Sequence, residues 1–182
     1  MIVVDVETTG LDPTRLSILS IGAVDFDDPN NTFYVECKPW ENASDVSKEA
    51  LGINGFDLEQ LKRDGMNQDE AIEAFINWAI LKNGKPVLAG HNVWFDRDCL
   101  KEMAHRAVVK WPFGHHVVDT FSLAAAVALK NYKPLPAKQK DMFELAGLPE
   151  EPHPHNALTG AKMEREALWN FIFDPKEVPA NA

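Results

Sequence analysis

The sequence predicts an α/β domain with a central mixed sheet, an antiparallel meander of strands 1–3 plus parallel strands, flanked by helices. Three observations predict it. Residues Met1 to Leu11 open with a β-branched run that is cut off at Gly10, the pattern of a buried strand. Two further strand-like segments follow at short intervals. From residue 67 onward, helical spacing alternates with short apolar runs, the order expected of a sheet covered by helices.

Taken in order, Leu11-Asp12-Pro13 reads as a turn, and Leu16 to Phe26 as a second strand ended by the Asp27 to Asn31 turn. Phe33 to Lys38 reads as the third strand. Residues 39–66 are polar and broken by glycines, with a short helix near Ser47 to Leu51. Asn67 to Leu81 carries Ala71, Ile72, Phe75, Ile76, Ala79 and Ile80 at helical spacing, with Asp69 and Glu70 in its first turn. Pro86 to Gly90 is a buried strand reached by that helical crossover, and Phe95 to Ala107 a helix. Val117 to Thr120 is a short strand whose Asp119 caps a helix from Thr120 to Leu129. Lys130 to Lys140 is a loop, followed by a short helix ending at Gly147. Pro149 to His155, rich in proline and acid, is not helical. Asn156 to Phe171 is the last helix. The reading is one domain over residues 1–172 with a loose tail over 173–182, and no internal repeat.

A chain of 182 residues is long enough for one substantial core. Cys37 and Cys99 lie in apolar segments without paired spacing, which favours a reduced, cytoplasmic setting over a disulfide framework. Met1 already belongs to the first strand, so no signal peptide is expected, and no apolar run is long enough to cross a membrane. The net charge of −10 argues against a protein that coats nucleic-acid backbones nonspecifically. It leaves room for an enzyme that meets a polyanion through bound cations.

Asp5 and Glu7 carry the chemistry of the first strand. Side chains alternate along a strand, so these two share one face while Ile2, Val4 and Val6 share the other. Two neighbouring carboxylates on a buried strand repel and are desolvated, which is costly unless a cation lies between them. Oxygen-only ligands suit a hard ion such as Mg²⁺ or Mn²⁺. Alone, Asp-x-Glu is more simply a solvated strand edge. Here Asp5-x-Glu7-Thr8-Thr9-Gly10 is followed by His91-Asn92-x-x-Phe95-Asp96 at a helix start, and then by His155-x-Ala157 opening the last helix.

This ordered set resembles the three motifs of the DEDDh-type 3′–5′ exonucleases, the branch that includes proofreading exonuclease subunits, ribonuclease T and oligoribonuclease. The resemblance implies a ribonuclease H-like fold. It also implies a two-metal mechanism, in which two divalent ions about 3.5–4 Å apart clamp the attacking and leaving oxygens. By that resemblance Asp5 bridges both ions, Glu7 binds the ion on the nucleophile side, and Asp96 holds the second, directly or through water. His155 is the general base, preferred to His153 because His-x-Ala-x-x-x-Ala fits His155, Ala157 and Ala161. Thr8, through its backbone N–H, and Leu11, against a base, would contact the terminal nucleotide, with Asn92 and Phe95 lining the same pocket. The implied partners are single-stranded DNA or RNA 3′ ends and no membrane. A homodimer, or a replication or repair partner, stays open.

The pattern departs from the family at one position. The family has an aspartate five residues after the histidine, and this chain has Gly160. The lost acid is a ligand to the ion that activates water. Glycine there also weakens the helix by up to about 1 kcal/mol relative to alanine. Glu164 is the expected substitute, since it lies about 6 Å along the helix and only about 40° round it. Helical side chains lean toward the N-terminus, so its carboxylate would point at the gap. Asp119 is explained by capping, and Glu166 lies on the far face. Two readings follow: a metal-dependent exonuclease weakened at Gly160, or an exonuclease-like module that binds nucleic acid or protein with little catalysis. On the first, Gly160→Asp is expected to tighten metal binding and raise the rate.

Overall fold

The computed structural model describes residues 1–83 and 86–173. Its sheet is laid out from β1 (Ile2–Thr8), which pairs antiparallel with β2 (Ile18–Asp25), placing Asp5 opposite Gly22 and Glu7 opposite Ser20. The register shifts between Glu7 and Thr8. β2 pairs antiparallel with β3 (Thr32–Glu36). On the other side of β1, β4 (Leu88–Gly90) runs parallel to it, and β5 (Val117–Asp119) runs parallel to β4. The order is β3-β2-β1-β4-β5, the mixed sheet the sequence predicts. β2 is shorter than Leu16 to Phe26 because the Leu16 amide donates to the Asp12 carbonyl, 2.8 Å, and so belongs to the preceding turn.

The helices differ from expectation mainly between residues 39 and 66. α1 (Lys48–Asn54) is capped by Ser47, whose hydroxyl accepts from the Glu49 and Ala50 amides, and it stops at Gly55 with φ 69°. It therefore runs past Leu51. A second helix, α2 (Leu58–Asp64), capped by Asp57, stands where the sequence predicts only one short helix. Then come α3 (Gln68–Asn83), α4 (Trp94–Arg106), α5 (Thr120–Lys130), α6 (Gln139–Leu145) and α7 (Ala157–Ile172). Asp119 caps α5 as expected, accepting from the Ser122 amide at 2.9 Å. Pro149 to His155 is irregular. Of the tail expected over 173–182, only Phe173 is described, and its ring packs at a tilt against those of Phe26 and Trp169. Residues 174–182 lie outside the described part. No described helix is long and apolar enough to cross a membrane. Both cysteines are buried and free.

The alternation of β1 is what places the acids. Ile2, Val4 and Val6 enter the larger core with Ile72 and Phe75 of α3 and Leu100 and Met103 of α4. Val3 faces the other way, against Ala161 and Leu168 of α7. Asp5 and Glu7 share the face of Val3 and so lie under α7. Each apolar side chain buried in these layers contributes about 1.5–3 kcal/mol toward holding the sandwich closed. The first turn of α7 presses directly on β2 at Gly22, where a β-carbon would overlap the backbone of Ala157 and Leu158. At the far end of α4, Arg106 lies 3.7 Å over the Trp40 ring and donates to the carbonyls of Pro13, 2.9 Å, and Leu16, 3.3 Å.

Candidate active site

The three motifs meet in one cavity of about 420 Å³ at the carboxyl end of β1. Asp5, Glu7, Leu11, Asn92, Phe95, Asp96, His155 and Glu164 all line it, joined by Val6, His91, Gln139 and Glu151. Asp96 is positioned by the first turn of α4, and its Oδ1 accepts from the Val6 amide at 2.9 Å, which ties the second motif to the first. The turn before α4 is anchored by Asp119, whose Oδ1 accepts from the Asn92 amide at 2.8 Å. Asn92 takes φ 49°, a left-handed conformation that asparagine tolerates better than most residues. Leu11 stands 82 % exposed at the rim, whereas Phe95 also packs against the larger core. Thr8 is buried and does not line the cavity. Its hydroxyl donates to the Gly10 carbonyl at 2.8 Å, and its own carbonyl accepts from Asn54 Nδ2 at 3.1 Å.

Five carboxyl groups share this space: Asp5, Glu7, Asp96, Glu151 and Glu164. Among the described residues lining it there is no lysine or arginine. Burial holds Asp5 well above the usual carboxylate range, reinforced by Glu164, Asp96, Glu7 and Glu151 around it. Burial, then the charge of Glu151, raises Glu7 to about 7, partly offset by a hydrogen bond with Asn54. Burial raises Asp96 to about 7 against the opposing Val6 amide, and raises Glu151 to about 7 against the Asn156 amide. Glu164 is also held well above its usual range, by burial and then by Asp96. Burial and the neighbouring His153 depress His155, which favours the neutral imidazole a base requires.

Gly160 is the informative departure. A β-carbon there would overlap Asp5 Oδ2 and stand 3.2 Å from Glu151 Oε1. The space that a side chain at 160 would take is therefore filled by Asp5 and flanked by Glu151. Glu164 does reach into the cluster as its helical position implied. Both its oxygens are engaged, however: Oε2 accepts from the His91 amide at 2.9 Å, and Oε1 from Gln139 Nε2 at 3.2 Å. Glu151 escaped the sequence reading because it lies in the irregular stretch before α7, where no motif marks it. Its spacing of four residues before His155, between Pro149 and Pro152, was the available signal. The His155 Nδ1 to Glu151 Oε2 distance is 3.7 Å.

The donor chemistry fits a hard divalent cation. All five acids offer oxygen only, they are mutually repulsive, and Glu151 Oε1 is buried without a hydrogen-bond partner. Among the described residues, no three acidic, histidine or cysteine side chains are already drawn together as a ligand set. Asp96 and Glu164 are held instead by backbone amides.

Sheet order, flanking helices and the acids at the end of the central strand make this an α/β protein of the ribonuclease H-like class. The chain belongs to the RNase T exonuclease family, whose model matches residues 2–167. It is 29 % identical over 172 residues to the 3′–5′ DNA exonuclease Cap18 of Escherichia coli, covering 93 % of this chain and 89 % of that protein. It is 30 % identical over 142 residues to ribonuclease T of Yersinia enterocolitica, covering 70 % of this chain and 64 % of that one. Among solved structures, the fold is similar to the nuclease domain of 3′hExo, a DEDDh family member bound to rAMP. The TM-score is 0.69 at 19 % identity, over 93 % of this chain and 90 % of that one. It is also similar to E. coli exonuclease I in complex with a 5cy-dT13 oligonucleotide, TM-score 0.74 at 14 % identity, over 94 % of this chain. This chain spans only 40 % of that exonuclease.

Proposed function

We propose that this chain is a metal-dependent 3′–5′ exonuclease that releases nucleoside monophosphates from single-stranded or frayed 3′ ends. The observation that carries the reading is the convergence of Asp5, Glu7, Asp96 and His155, from three separated motifs, on one cavity. Family membership and the Cap18 relative, named for 3′–5′ DNA exonuclease activity, support it. The ribonuclease T relatives keep RNA ends in the substrate class. Two buried free thiols support a reducing, cytoplasmic setting.

Asp5, Glu7 and Asp96 would hold Mg²⁺ or Mn²⁺. Such ions supply charge neutralisation of the scissile phosphate and a lowered pKa for the attacking water. The chain's own residues do the rest. His155, neutral and with Nδ1 turned toward Glu151, takes the proton at Nε2. Leu11 presents an apolar surface at the rim for the terminal base, and Asn92 and Phe95 wall the nucleotide in. Thr8, buried behind the cavity wall, supports through its hydroxyl the Gly10 turn that carries Leu11. Without the cations, five acids would repel the substrate. With them, an acidic protein handles a polyanion.

The test is a 5′-labelled DNA and RNA panel incubated with Mg²⁺ or Mn²⁺. Stepwise shortening from the 3′ end, lost in Asp5→Asn and His155→Ala, is the expected outcome. No shortening on any substrate would overturn the reading. A second reading, a module that binds such ends without cutting them, is favoured by Gly160 alone. A complex that forms in metal and stays intact would select it.

A further inference from the structure

The missing acid of the third motif leaves the question of what completes the oxygen set beside Glu7. Two buried glutamates are within reach, and their surroundings differ. Glu164 is 2 % exposed with both oxygens bonded, one to the His91 amide and one to Gln139. Asp5, Asp96 and Glu151 all act on it electrostatically. Glu151 is 5 % exposed and lies on the His155 side. One oxygen, Oε2, faces His155 at 3.7 Å. The other, Oε1, has no partner and lies 3.2 Å from where a β-carbon on Gly160 would be. A buried carboxylate oxygen left unbonded costs free energy that a structure does not normally carry without a ligand.

We infer that Glu151, carried by the loop ahead of α7, supplies the carboxylate that Gly160 lacks, with Oε1 as the ligand to the cation shared with Glu7 and Asp5. The proposal rests on the exonuclease reading for the nature of the cation. Gly160 leaves room for this arrangement, since a β-carbon there would force the Asp5 carboxylate to shift and would crowd Glu151 Oε1. Pro149 and Pro152 flank the ligand and restrict the backbone that presents it. Glu164 is a positioning residue that fixes the His91 turn.

The test is Mn²⁺ binding to the purified full chain, followed by Mn²⁺ paramagnetic resonance and by the rise in Tm on adding Mn²⁺. Glu151→Gln is expected to weaken affinity by at least about tenfold, the lower end of what outer-shell substitutions cost. It should also abolish most of the Mn²⁺-induced Tm rise. Glu150→Gln, on the exposed neighbour, should leave affinity within about threefold of the parent, a smaller loss than metal-site substitutions produce. Glu151→Ala replaces the glutamine variant if that one does not purify folded. Parent affinity in a folded Glu151 variant with reduced kcat would mean that Glu151 only orients His155, and would overturn the inference while the exonuclease reading stands. Loss of Mn²⁺ in Glu151→Gln, in a parent that cuts no oligonucleotide, would uphold the ligand and overturn the exonuclease. A parent that binds no Mn²⁺ would overturn the inference directly.

Discussion

A carboxylate buried beside other carboxylates must be protonated, hydrogen-bonded or neutralised, and this pocket distributes those solutions unequally. Asp96 and Glu164 are bonded by backbone amides, while Asp5 is pressed between four acids. This changes what Gly160→Asp should do. By family pattern alone it is expected to tighten metal and raise the rate. In the structure the new side chain meets Asp5 Oδ2 and adds a sixth acid. Overpacking of this kind costs about 1–3 kcal/mol. In chelator, the variant's Tm should fall by about 2–4 °C per kcal/mol in a domain of this size. Single-turnover cleavage should show no tenfold gain. A faster and equally stable variant would show that position 160, rather than Glu151, is where the acid belongs.

At the scale of elements, α7 is the part that brings the third motif to the first. Its N-terminus is set by the Asn156 cap, which accepts from the Leu158 and Thr159 amides, and by contact with Gly22. Asn156→Ala should cost about 1 kcal/mol, as lost caps do. Gly22→Ala should cost more, about 1–3 kcal/mol, because its β-carbon has only backbone to displace. Both variants should lose rate out of proportion to stability, since His155 and Glu151 sit just ahead of the displaced turn. Thermal melts beside cleavage assays check this, and unchanged kcat in folded Gly22→Ala would count against α7 as the positioning element. The strand of Asp5 and Glu7 was legible because period-two alternation and β-branching are local signals. So was α7, from its apolar spacing. α2 was not, because Leu61 is its only buried residue, so no apolar stripe accompanies the end signals of Asp57, Glu59, Lys62, Arg63 and Gly65. Glu151 was not, because its burial comes from the folding of a loop, and its local sign, a place four residues before His155 between two prolines, belongs to no motif.

The acids also govern the molecule as a whole through proton linkage. Glu7, Asp96 and Glu151 titrate near 7 in the fold against ordinary values of 4.5, 3.8 and 4.5, and Asp5 and Glu164 are displaced the same way. Between about pH 4 and 7 the folded state therefore holds protons that the unfolded chain has released. Stability falls as pH rises through that window. In chelator, Tm should decline from pH 5 to pH 8 by at least several degrees, at about 2–4 °C per kcal/mol. Mn²⁺ should restore it most at pH 8, where ligands are deprotonated. A Tm that climbs with pH in chelator would refute the shared-burial account of these groups.

Arg106 has a consequence at this scale too. α4 spans 13 residues, about 20 Å, with Asp96 near one end and Arg106 at the other. Arg106 grips the Pro13 and Leu16 carbonyls of the segment that follows Leu11. The helix thus works as a brace between the floor of the pocket and its lip. Arg106→Ala should leave the acids in register while freeing the lip, raising KM for oligonucleotides with little change in kcat. A lesion a helix-length from the chemistry would then be felt as a weaker hold on the strand end.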